Sequence, residues 1–132
     1  ARSDTCVSTV NGNGVTALLP SSSIVGLTTQ DSPKIFAYIP PNNAEKAEFR
    51  LLEEKSSKEL FVGQVQMPKA ESGKDSYKYK ASVVGISLPA NAVEKLQPGN
   101  KYLWALMVVC KADNRAQDIV VTGIVQRVDD AY

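Results

Sequence analysis

The sequence contains no histidine. That absence removes the Ser-His-Asp and Cys-His arrangements of nucleophilic catalysis and the commonest nitrogen ligand for transition metals. Cysteine is nearly absent too: Cys6 and Cys110 are the only pair, and two thiolates without histidine cannot close a structural zinc site. No apolar run approaches the ~20 residues a helix needs to cross a bilayer, so no membrane span is expected. Neither charge sign dominates. Fifteen basic residues against fourteen acidic ones leave +1, too little field to gather a phosphate backbone, and nucleic acid is not an expected partner. The sequence also lacks an Asn-x-Ser/Thr sequon. "ARSDTCVSTV" has neither the charged start nor the apolar middle of a signal peptide. Because the first residue is Ala1 rather than Met, the expectation is a secreted protein after leader removal, with a trimmed chain as the alternative.

What remains is a chain sized for one domain, 1–132, with 43% hydrophobic residues to fill a core. No useful helical period occurs. Short apolar segments recur between turn residues, at 15–20, 34–40, 47–54, 58–67, 82–89, 102–110 and 118–128. "AEFRLLEE" alternates, with Ala47, Phe49 and Leu51 on one face and Glu48 and Arg50 on the other. "KELFVGQVQM" is expected to put Leu60 and Val62 on one side, and "KSSK" before it to be a hairpin loop. "ANAVEKL" has room for one helical turn between Pro89 and Pro98. Residues 1–14 form an N-terminal segment holding the turn "NGNG", and 68–81 a long polar loop or ragged edge strand. About seven strands without a long helix predict an all-β sandwich of immunoglobulin-like or fibronectin type III-like Greek-key type.

"LQPGNKYLWALMVVC" predicts the corner of that sandwich. Pro98 fixes φ and Gly99 admits positive φ, so the chain turns after Leu96, and Tyr102 can fold back with its hydroxyl on backbone near the turn. With Tyr102 inward, period two sends Trp104, Leu106, Val108 and Cys110 to the same face. Leu103, Ala105, Met107 and Val109 face the other way and are apolar as well. A core strand under a loop is the favoured reading, and a binding surface or oligomer contact the sharper one. Cys6 and Cys110 are either one long-range disulfide or two buried thiols. The bond would contribute about 4.7 kcal/mol for a loop of ~100 residues in the chain-entropy model.

No catalytic set stands out. The carboxylate pairs Glu53–Glu54 and Asp129–Asp130 put neighbours on opposite faces of an extended chain and read as solvated edges. Asp113, Asn114 and Asp118 gather hard oxygens, but their spacing fits no calcium loop and reads as a hairpin turn. No metal or cofactor is expected. "KDSYKYKAS" interleaves Tyr77 and Tyr79 with Lys78 and Lys80, the tyrosines on one face and the lysines on the other. An edge strand guarded by lysine is the plain reading; the alternative is a ligand contact, since tyrosine suits sugar or peptide.

An ordered set of segments is similar to the domain of unknown function 928 family. It comprises 16–20 and 26–29, Pro33, 36–40, "AEFRLLEE", "ISLP", and "LQPGNKYLWALMVVCKADNRAQDIVVTGIVQRV", covering most of 15–128. The resemblance implies a cyanobacterial, extracytoplasmic protein, a Cys6–Cys110 disulfide, and no known catalytic residue. Residues 68–81 look longer and more basic than the family's connection, and "LWALMVV" more apolar than its usual strand. The expected function is a non-catalytic binding or adaptor module outside the cytoplasm, with a protein or glycan partner. A self-associating envelope component and a hydrolase with an unrecognised site are the alternatives. Oligomeric state is not legible here.

Overall fold

The computed structural model describes residues 6–8, 14–18, 24–27 (backbone only), 34–71 and 77–127. Eight strands are formed among them: β1 (Thr16–Ala17), β2 (Ile24–Leu27), β3 (Ile35–Ile39), β4 (Lys46–Glu53), β5 (Glu59–Val65), β6 (Ser82–Ile86), β7 (Lys101–Val109) and β8 (Ile119–Arg127). One helical turn, α1 (Ala90–Val93), lies between β6 and β7. The strands form two sheets, ordered β1-β3-β6 and β2-β8-β7-β4-β5. All pairings are antiparallel except that of β2 with β8. Residues 11–13 of the expected turn, 19–20, 72–76, Asp129 and Asp130 lie outside the described residues.

The alternation of β7 builds the core. Tyr102, Trp104, Leu106 and Val108 are all buried, and across the ladder they meet Leu51, Phe49 and Ala47 of β4 and Val125, Gly123, Val121 and Ile119 of β8. Ile35, Ala37 and Ile39 of β3 and Val84 and Ile86 of β6 face them from the smaller sheet, in one continuous apolar cluster. Trp104 is fully buried and stacks on Phe49 with centroids 6.0 Å apart. Directly opposite Trp104 stands Gly123, whose missing side chain makes room for the indole. A Cβ there would collide with Nε1 of the indole.

The corner before β7 follows from its Pro-Gly turn. Gly99 has φ +86°, in the left-handed region. Gln97 donates its backbone N–H to Tyr102 Oη at 2.7 Å, and Gly99 N–H bonds the Arg127 carbonyl at 3.1 Å, clamping the turn to β8. Ala92, Val93 and Leu96 are buried and close this end of the core. At the other end, Cys6 and Cys110 are joined in a disulfide with Cα atoms 5.6 Å apart.

Two expectations need correction. Val62 points outward and is exposed, whereas Phe61 takes the inward place opposite Leu51. The register shifts between Leu51 and Leu52, so Leu60 is an extra residue on β5 and the alternation changes phase there. β2, in the interval between the expected strands at 15–20 and 34–40, pairs parallel to β8. The outer face of β7 lies partly under the connection that follows it. Arg115, from the short 3-10 turn Arg115–Gln117, reaches back over Met107, its Nη2 3.8 Å from Sδ.

Gly123→Ala forces a methyl into the Trp104 ring inside a closed core, and a destabilisation of about 1–3 kcal/mol is expected. Urea unfolding followed by the fluorescence of Trp104 checks it; an unchanged midpoint would refute the packing argument.

Candidate functional site

β5 and β6 are each the last strand of their sheet. Between them the sandwich opens into a groove of about 510 Å³, within the range of roughly 300–1,000 Å³ typical of ligand sites. Phe49, Phe61, Val65, Val84 and Ile86 give it an apolar floor, while Gln64, Gln66, Ser82 and Ser87 add polar groups. Among the described residues, no charged side chain lines it. Ser82 Oγ is buried and has no hydrogen-bond partner among the described residues.

The segment singled out by its tyrosines abuts one end of this groove. Lys80 N–H bonds the carbonyl of Pro68, a groove residue, at 3.1 Å, and Ala70 N–H bonds that of Lys78 at 2.9 Å. Tyr79 exchanges two backbone bonds with Asn42, at 3.0 and 3.1 Å. Rather than a free edge strand, the described parts of 68–81 make a short ladder tied to the turn after β3. Tyr77 and Tyr79 are half-buried and Lys78 and Lys80 exposed, as alternation requires, yet Lys78 Nζ curls over the Tyr79 ring, 5.4 Å from its centroid. Asn42, which nothing in the sequence reading marked, is fully buried at the hub. Its Nδ2 donates to the Pro40 carbonyl at 3.0 Å and its Oδ1 accepts from Ala44 N–H at 3.0 Å.

The outer face of the larger sheet carries an ionic network. Glu48 is buried beneath Lys46 (3.0 Å), Arg50 (3.0 Å) and Arg115 (3.2 Å). Arg50 also holds Glu59 at 2.6 Å, and Arg115 holds Asp118 at 2.7 Å. Asp118 is therefore a partner of Arg115 in the turn before β8, and Asp113 and Asn114 are exposed. Burial pushes the Glu48 carboxyl up, but the hydrogen bonds from Lys46, Arg50 and Arg115 outweigh it and hold the group at about 2. Three cations and three carboxylates neutralise one another, which makes this a latch between β4, β5 and the β7–β8 connection rather than a charged docking patch.

Glu53 and Glu54 border a smaller cavity of about 340 Å³ beside Tyr102, whose hydroxyl is already engaged by Gln97. No group of three or more potential ligands fit to hold a metal ion occurs among the described residues. No helix among them is long and apolar enough to cross a membrane.

Two packed sheets with an open seam and a disulfide across one end define an all-β, sandwich-like protein. The chain belongs to the family described as Domain of Unknown Function (DUF928), whose model matches residues 1–131. No curated protein and no solved structure matches it.

The Glu48 latch has a signed pH dependence. Its carboxyl is depressed from an ordinary 4.5 to about 2 on folding, so its contribution is complete above about pH 4.5 and is lost as pH falls toward 2. The shift corresponds to about 3 kcal/mol at most. Glu48→Gln is expected to lower stability at neutral pH by roughly 2–3 kcal/mol, with the gap to wild type closing on acidification. Urea midpoints measured across that pH window check it, and a gap that stays constant would contradict the assignment.

Proposed function

We propose that this protein is a non-catalytic binding or adaptor module of immunoglobulin-like, fibronectin type III-like topology, acting outside the cytoplasm through the groove between β5 and β6. The carrying observation is the groove itself, an apolar-floored opening between the last strands of the two sheets. The topology reading is supported by strand order. Leaving out β2, the sheets β1-β3-β6 and β8-β7-β4-β5 follow the A-B-E and G-F-C-C′ orders of such sandwiches. It is further supported by Tyr102, which sits near the start of the sixth of these seven strands with its hydroxyl on backbone five residues upstream. The family match over 1–131 and the shared core support treating 1–132 as one domain. Location outside the cytoplasm is supported by the disulfide, since such bonds persist in oxidising compartments. Tyr77, Lys78, Tyr79 and Lys80 are proposed as contacts at the mouth, because their segment is bonded to the groove through Pro68.

Screening glycan and peptide arrays against the chain, with backbone amide NMR as the readout, tests this. A ligand that shifts residues of β5 and β6 is the expected result. Ligands that shift only the outer faces of the sheets, or no ligand at all, would overturn it.

A second reading, self-association, is favoured by the smaller sheet. Leu18, Phe36 and Val83 are 46%, 43% and 58% exposed there, on the face away from the core. A concentration-dependent dimer by sedimentation is its expected outcome, abolished by Phe36→Ser together with Val83→Ser. A monomer at millimolar concentration would end it.

A further inference from the structure

Resting on the groove reading above, we propose that its ligand is an extended, uncharged peptide that adds to the free edge of β6 as a fourth strand of the smaller sheet. Exposed sheet edges present a row of backbone donors and acceptors that another strand can satisfy, and folded proteins ordinarily blunt them with lysine, proline or a covering element. Here that protection is missing on both sides of the seam. Residues 60–67 (LFVGQVQM) and 81–88 (ASVVGISL) contain no charged residue and no proline, in a chain where 22% of residues are charged. The lysine-bearing ladder at 68–70 and 78–80 closes one end of the opening, and among the described residues nothing pairs with the outer edge of β6. β6 pairs only with β3 among the described residues.

The chemistry of the occupant follows from the lining. A peptide backbone matches the unpaired edge of β6. Side chains at alternate positions would turn inward onto Phe49, Phe61 and Val84, so those positions are apolar. A charge there would be buried without a counter-charge from the described lining, which holds no charged side chain. The five residues of β6 span about 17 Å, which sets the recognised core at about five residues.

Phage-displayed random nonapeptides are selected on the full chain, and the recovered sequence is resynthesised in two alternately N-methylated forms. Methylation in one register removes the donors facing β6; in the other it leaves them. The expected result is a loss of affinity of roughly ten-fold or more for one register only, two or three net hydrogen bonds being at stake. Amide exchange at alternate residues of β6 is expected to slow by a similar factor. A peptide indifferent to both methylations, protection confined to β5, or a selection that returns no binder would overturn the inference. A glycan or small apolar ligand that still shifts the groove amides would in that case leave the binding reading standing. Silence of the groove toward every ligand class would remove both.

Discussion

The bond from Gln97 N–H to Tyr102 Oη ties a strand to its own turn, and the remaining architecture depends on what that fixes. Once the phenol is held under the bend, the side-chain period of two leaves β7 no choice of face. The indole at 104 must go inward, and β8 must then offer a residue without a side chain opposite it, which is Gly123. Slipping the register by one would bring Leu103, Ala105 and Met107 to the core and turn Tyr102, Trp104 and Leu106 to water. β7 is also the strand flanked by β4 and β8, so its parity is passed to both neighbours through their ladders.

Much of this is legible in the sequence because the signals are local. Turn chemistry at 97–100, alternation at 47–51 and paired apolar faces at 102–110 all have short-range causes. The phase change in β5 is not local: Leu60, Phe61 and Val62 are all apolar, and only the pairing with Leu51 and Leu52 decides which of them is inserted. β2 escaped for a related reason, since four residues paired parallel to a distant strand leave little periodic trace. The candidate site was harder to see. Its residues come mainly from β5 and β6 in different sheets, with Phe49 of β4 beneath, and none of them is a residue type that marks chemistry. The readable sign was a deficit, the missing charge and proline at 60–67 and 81–88, whereas the aromatic and lysine cluster at 77–80 drew attention to the groove's end rather than its length.

Charge is distributed to match. On the outer face of the larger sheet, Lys46, Arg50 and Arg115 enclose Glu48 and also pair Glu59 and Asp118, fixing the connection between β7 and β8 while leaving no net charge. Arg115 does two things at once, neutralising Glu48 and covering Met107 with its guanidinium. The seam between the sheets carries none of this.

The Cys6–Cys110 bond also sets how the molecule carries tension. A pull applied at the two ends of the chain passes from Cys6 straight to Cys110, across a sequence separation of 104 residues. The strands between them, β7 included, are shunted out of the force path while the bond is intact. Only the stretches outside the bridge can be drawn out, and within the described fold that means β8, which would have to be stripped from both β2 and β7. A reductant would therefore change the contour length released under load far more than the loss of any one strand pairing.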